Sequence, residues 1–426
     1  MKVAAAFAGL SLAATLLASR ATYPSPHTFT YPNEITSNAA VRAQFASLAI
    51  AQSPDWPRLS PRANSNSFEE WRFAAVNAHN PNETITISFF IAGNESTSTT
   101  LPGDVVKSNF VLLSYRLANG DGDSVLLSAA TTGEEAGAVV ITAQDRCSHG
   151  VAGEWKGIRA SFASSLEDEG TPTSEFTVQV EAAGYGISGT LSLKTTTPPF
   201  LPGCSTDNVF KPNQTLRASP HLGWAVALPD ANVTANFMFA SSSPSPSGRV
   251  LDFTGIGYHD HSWSDVPFQQ HIHTKYIGSA RLGPYSVVWH STTDHEGNTY
   301  NSAYIAKNGK VLHVKCDSSD NVGQRSELNA VLTIESDSLH TTVRFAMDDG
   351  SVSTIVVEKS NQNWPALYTQ YTGNAYGSFG GMQYKGASLF NEYHTLAGTG
   401  TTAGGGSVEK IFGEGIFPGM QTILSS

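Results

Sequence analysis

The sequence predicts a mainly β protein, built from antiparallel sheet and closed into barrels or sandwiches. Short β-branched and aromatic runs of alternating polarity recur from about Ser67 onward, and Gly, Asn, Asp and Pro break them at hairpin spacing. After the segment Ala39 to Ala51, no stretch keeps a helical period. Evenly spaced strands over this length favour closure, because a closed sheet has no unpaired edge to template aggregation.

In chain order, Met1-Lys2 gives a small positive start, and the apolar run Val3 to Leu17 is too short to span a bilayer. This predicts a signal peptide over residues 1–21, with Ser19 and Ala21 as the small residues before the cut and a cut after Ala18 as the alternative. Residues 22–66 are expected as an N-terminal extension, in which the small side chains of Ala39 to Ala51 predict one short helix ahead of Pro54. A first β-domain is expected over 67–245 and a second over 246–426.

In the first domain, Ile85 to Ile91, Phe110 to Leu117 and Phe176 to Glu181 read as strands, and Asn119-Gly120 turns Val111–Tyr115 back onto Val125–Leu127. Gly184-Tyr-Gly-Ile-Ser-Gly189 fits the G-x-G-x-x-G spacing of dinucleotide sites. Strand texture continues over Thr190–Lys194, where such a site needs a helix, so the run reads as a hairpin turn. Thr195-Thr-Thr-Pro-Pro-Phe-Leu-Pro-Gly203 opens a turn-rich connection near a domain junction. Strands resume over Trp224–Leu228 and Val233–Ala240, and a Ser- and Pro-rich turn at 241–247 leads to Val250–Ile256. The tail after Ala397 is Gly- and Thr-rich until Ile411 to Ile423.

A net charge of −11 with 14% charged residues and no Lys or Arg cluster argues against nucleic acid and anionic membranes as partners. A small, neutral partner fits better. No later segment is apolar for long enough to cross a membrane as a helix. Sequons at Asn82, Asn94, Asn213 and Asn232 behind a signal peptide predict N-glycosylation and a secreted or secretory-lumen location. Cys147, Cys204 and Cys316 allow one internal disulfide, expected between Cys147 and Cys204, and leave one thiol over.

Groups capable of chemistry concentrate between 255 and 295, and seven of the thirteen histidines lie between His221 and His295. In a strand, residues two apart share a face, so His259 with His261, and His271 with His273, point together, while Tyr258 and Asp260 take the opposite face. The His-x-His pairs are metal-compatible, but no complete ligand set of recognisable spacing accompanies them, and no metal is expected. Asp260 in a dry, Trp-rich pocket would be a neutral carboxylic acid and a proton donor; a plain turn or cap aspartate is the alternative. Trp263 and Trp289 would wall an apolar cavity or simply fill the core. No G-x-S-x-G, H-E-x-x-H or Walker sequence is present, which removes the common hydrolase, zincin and P-loop chemistries.

Gly257-Tyr-His-Asp-His-Ser-Trp263 resembles the G-Y-H-D-x-N-W signature of the carotenoid 1,2-hydratase (hydroxyneurosporene synthase) family, with Ser262 in place of Asn. Ser67-Phe-Glu-Glu-Trp-Arg-Phe73 resembles the early Glu-x-Trp-x-Phe strand shared by those hydratases and the fungal Diels-Alderases that build decalin and related rings. Leu282-Gly-Pro-Tyr285 opens the next strand as in the fungal cyclases. The resemblance runs from about residue 67 to about 420. It implies two lipocalin-like (calycin) antiparallel β-barrels side by side, with a cofactor-free apolar pocket between them or in the mouth of the first.

The resemblance further implies a secreted enzyme of fungal secondary metabolism that closes a ring by a stereoselective (hetero-)Diels–Alder reaction, as in the joining of a tropolone quinone methide to a humulene-type sesquiterpene. Asp260, His261, Tyr276, Lys275 or His290 would then donate a hydrogen bond to the heterodiene. Trp263, Trp289 and Phe268 would confine the terpene, with Tyr258 and His273 completing the contacts. The hydratase branch would use Asp260 as acid, supported by His261 or Tyr258. A non-catalytic carrier of apolar ligands and a carbohydrate-active β-protein remain the rival classes; a polar cluster on a dry pocket wall favours an enzyme over a carrier.

Overall fold

A computed structural model describes residues 27–394, except 34, 36, 39, 47–52, 61–62, 97–107, 130–136, 144–149, 167–173, 203–213, 241–248, 317–330, 347–349, 360 and 364–367. The signal peptide, Asn213, Cys147, Cys204 and the tail after Ala397 lie outside the described residues.

Alternating sequence becomes alternating burial, as in Val151–Trp155, where every second residue is buried. The strands assemble into two curled antiparallel sheets. In the first, Phe68–Asn77, Thr84–Ala92, Asn109–Arg116 and Gly122–Ser128 form one meander. Val139–Ala143, Val151–Trp155, Ala160–Leu166, Ser174–Ala182, Ile187–Thr195, Leu222–Phe239 and Arg249–Ser264 form another, with His27–Tyr31 added at its far edge. The two meanders join where Arg249–Ser264 pairs with Phe68–Asn77. In the second sheet, Thr274–Leu282 is central. Tyr285–Thr293, Thr299–Lys307 and Lys310–Cys316 extend it one way, and Met382–His394, Tyr368–Phe379, Val352–Glu358, His340–Ala346 and Val331–Ser336 extend it the other.

Ring contacts show the curl of the first sheet. Phe89 and Trp155 stand on strands far apart in the pairing order, yet their ring centroids are 4.7 Å apart, and Trp155 Nε1 donates to the Phe90 carbonyl at 3.0 Å. Trp71, Phe73, Phe162 and Phe176 fill the same interior. Each such side chain contributes about 1.5–3 kcal/mol by leaving water. The second sheet encloses its own core of Trp289, Val343, Phe345, Ile355 and Phe390. There Gly278 leaves room for the Trp289 indole, which a Cβ would meet at 2.3 Å.

A third core lies between the sheets, where Ala74, Val76, Trp224, Val226 and Tyr258 of the first meet Ile277, Val288, Leu389 and Tyr393 of the second. Asp230 pins this contact, taking a two-pronged ion pair from Arg281 at 2.6–2.9 Å and a hydrogen bond from Ser286.

The turn at 117–121 forms as expected, with Gly120 at φ 89°, and Gly186 at φ 66° closes the hairpin that the G-x-G-x-x-G run predicted. Two expectations need correction. Arg42–Ala43 is not helical but pairs with Leu59–Ser60, because Leu59 is drawn into the core and takes its neighbour with it. The division at 245/246 falls inside the first sheet, since Arg249–Ser264 is the hairpin partner of Leu222–Phe239 and the second sheet begins at Thr274.

Candidate active site

The Arg249–Ser264 strand sends alternate side chains to different places. Tyr258, Asp260 and Ser262 face the second sheet; His259, His261 and Trp263 face away from it. Asp260 is 3% exposed, and every neighbour within hydrogen-bond reach is a donor. Arg72, directly opposite in register, gives Nε to Oδ1 at 2.9 Å and Nη2 to Oδ2 at 2.8 Å. Trp224 Nε1 donates to Oδ2 at 2.9 Å and the Tyr258 hydroxyl does so at 3.1 Å. The expectation of a proton-donating Asp260 is therefore corrected: its partners among the described residues are all donors, and it accepts from a bidentate guanidinium, an indole and a phenol.

The second sheet supplies the other wall. Lys275 and His290 lie on the face that meets the first sheet, and both are buried. Burial lowers the Lys275 ammonium to about 8; the neighbouring Arg72 charge pushes the same way, against the pull of Glu70 and Asp260. Its Nζ sits 5.3 Å from the Phe268 ring centroid and makes no hydrogen bond among the described residues. His290 is held neutral, first by burial and then by Lys275 and Arg72. Its ring stacks on Trp224 at 4.7 Å. Phe268, on a single helical turn Phe268–His271 linking the two sheets, stands edge-on to Tyr393 at 4.6 Å. Together these groups form a buried polar cluster between the sheets, with two cations, the Asp260 carboxylate and aromatic flanks.

Other expected site residues lie elsewhere. His261 is stacked on Trp71 at 4.6 Å inside the first sheet; Nδ1 faces the Pro54 carbonyl and Nε2 faces Glu69 Oε1 at 2.8 Å. Both of its nitrogens are thus already engaged by protein oxygens. His259 Nδ1 faces the Arg72 carbonyl, and Nε2 lies 2.9 Å from Asp55 Oδ1, close in charge but off line for a hydrogen bond. Both histidines thus strap the 53–60 segment to the first sheet. Trp263 packs with Phe45, Leu201 and Leu216, and Trp289 with Phe390. Tyr276, pushed up to about 12 by burial and Glu392, lies beside His394 in the second sheet's interior. His273 is exposed near His295. Asn82, Asn94 and Asn232 are exposed.

Sequence reasoning missed Arg72, Glu70 and Trp224. Arg72 and Glu70 were legible as the polar alternates of Trp71 and Phe73 on one strand, the outward face of a strand whose inward face is aromatic.

The model of the Diels-Alderase-like family matches residues 33–327. The chain belongs to that family. All of the first sheet's site residues, with Lys275 and His290, fall inside the match. The quinolone epoxide rearrangement protein penF of Penicillium thymicola is 30% identical over 80% of this chain and 88% of its own. Its counterpart asqO of Emericella nidulans is 33% identical over 62% of this chain and 64% of its own. The Diels-Alderase ucsH of Acremonium sp is 25% identical over 31% of each chain. A crystal structure of CghA with Sch210972 superposes with a TM-score of 0.66 at 14% identity, covering 87% of this chain and 99% of CghA, which shows the fold. The Diels-Alderase-like chain is accordingly an enzyme of the pericyclase type, a cyclase of secondary metabolism with a small-molecule substrate.

Proposed function

We propose that this Diels-Alderase-like enzyme closes a ring stereoselectively on a small hydrophobic substrate whose oxygen is held by the Lys275 ammonium. One observation carries the reading: a cation buried between two sheets, with aromatic neighbours and no hydrogen-bond partner among the described residues. A pericyclic reaction needs proximity and orientation, which supply several kcal/mol, and a donor that lowers the heterodiene's orbital energy. At neutral pH a lysine held to about 8 is still mostly ammonium, so it can be that donor. Asp260 and Arg72 bond each other beside it, which leaves the Lys275 ammonium, under the pull of Glu70 but not hydrogen-bonded to it among the described residues, to meet the substrate. The hetero-Diels–Alder joining of a tropolone quinone methide to a humulene-type alkene is the specific case proposed. Exposed Asn82, Asn94 and Asn232 fit a glycosylated form made in the secretory route.

A second reading, rearrangement of an epoxide, is favoured by the relative that is 30% identical over 80% of the chain. The same ammonium would polarise an epoxide oxygen. The test is turnover by purified glycosylated protein on a quinone-methide precursor with a humulene-type alkene, a linear polyene, a carotenoid and a quinolone epoxide. Each is run with wild type and Lys275→Met. A stereoselective cycloadduct above background, lowered about 10²-fold in the variant, supports ring closure. Conversion of the quinolone epoxide alone would replace that reading with rearrangement, and tight binding without product would make the protein a carrier.

A further inference from the structure

Ring closure by a single donor leaves His290 unused. Its imidazole is fully buried and fixed in plane, 29° from Trp224, which is itself anchored to Asp260. Thr292 Oγ1 lies 3.4 Å from Nε2, while Nδ1 is buried with no hydrogen-bond partner among the described residues. A buried nitrogen left without a partner is unfavourable in a folded protein. In register, Ile277 stands opposite His290 and Lys275 opposite Thr292, so Lys275 and His290 are diagonal neighbours on one face. The charged groups that bear on the ring are Lys275 and Arg72, with Asp260 bound to Arg72 and, through Trp224, to the stack. Those two cations, added to burial, keep the imidazole in the form that accepts a proton.

We propose that the site moves a proton as well as closing a ring: His290 Nδ1 takes an acidic C–H or O–H proton from a planar conjugated substrate while the Lys275 ammonium receives the charge that develops on the substrate's oxygen. The inference rests on the interface being the active site. The electron pair of the broken bond to hydrogen moves through the conjugated system to that oxygen, giving an enolate or phenolate, and the imidazole becomes imidazolium; no oxidant or reductant is needed. The cations that make imidazolium costly in the empty site favour the anion, so the two charges form together and offset one another. The substrate class is then a tautomerisable carbonyl or phenol compound, converted in place to the electron-shifted diene that reacts.

The probe is 5-nitrobenzisoxazole, a planar heterocycle that opens when a base removes its C3 proton. The C–H electron pair becomes part of a nitrile, the N–O bond breaks, and a coloured phenolate is released. The wild-type enzyme should open it faster than an equal concentration of free imidazole, with a rate that falls toward acid pH. His290→Gln should lower that rate roughly tenfold or more, and Lys275→Met should lower it as well. A wild-type rate no higher than imidazole's, or equal rates in wild type and His290→Gln, overturns the proposal. A second measurement does not depend on a variant that folds: in histidine-labelled wild type, nitrogen NMR should show His290 neutral with Nδ1 unprotonated at pH 7, and a protonated Nδ1 overturns it. Opening of the probe by an enzyme that cyclises nothing in the substrate panel would sink the ring-closure reading and leave the base in place.

Discussion

Lys275 links activity and stability to pH with opposite signs. Its folded-state value of about 8 lies below that of a lysine in an unfolded chain, so between about pH 8 and 10.5 the unfolded chain binds more protons than the folded one. Unfolding free energy should therefore rise with pH across that window, while ring-forming activity, for which the ammonium is the proposed donor, should fall as pH rises through about 8. Urea titrations at pH 7 and pH 9.5 check the first and a pH–rate profile checks the second; Lys275→Met should flatten both trends. Asp260→Ala behaves differently. It strands the Arg72 guanidinium, the Trp224 indole N–H and the Tyr258 hydroxyl in a dry interface, a loss of about 3–5 kcal/mol. Chemical denaturation should show that loss, and a fall in turnover of this variant reports folding before chemistry. The sequence marked Asp260 by its motif, but its role as an acceptor depended on Arg72, a residue 188 positions away that only the strand register brings opposite.

At the scale of the element, two-residue alternation was readable and pairing partners were not. The Tyr258–Trp263 stretch was expected to be polar on both faces, and it is, yet its two faces serve different ends: one strap to the 53–60 segment, one wall of the site. His261 and Asp260 are neighbours in sequence and back to back in space. The misplaced domain division has a similar cause, because a Ser- and Pro-rich turn looks the same whether it joins two domains or two halves of a long hairpin. Interior packing gives a test that spares the site. In Gly278→Ala the new methyl group would press on the Trp289 ring, costing about 1–3 kcal/mol. Thermal melting should fall while stereoselectivity stays unchanged, since Trp289 lies in the second sheet's own core. A change in stereoselectivity would instead tie that core to the substrate.

For the whole molecule, the core between the sheets decides how the protein unfolds. Neither sheet could separate without exposing Trp224, Val226, Tyr258, Ile277, Val288 and Leu389, and without stranding Asp230 from Arg281. Scanning calorimetry should accordingly give one cooperative transition with equal calorimetric and van't Hoff enthalpies; two resolved transitions would mean that the interface adds little. That interface is also how the proposed reading reconciles packed sheet interiors with an enzyme: it puts the reacting groups in the seam rather than in either interior.

The pairing of Phe68–Asn77 with Arg249–Ser264 has a consequence for how the chain is made. As the polypeptide leaves the ribosome, the early strand waits for nearly two hundred further residues before its partner arrives. Through that interval its row of backbone donors and acceptors is open to any passing strand. A nascent chain stalled shortly before residue 249 should thus engage chaperones that one stalled well past 264 has released, with the seam, and whatever chemistry it performs, assembled last.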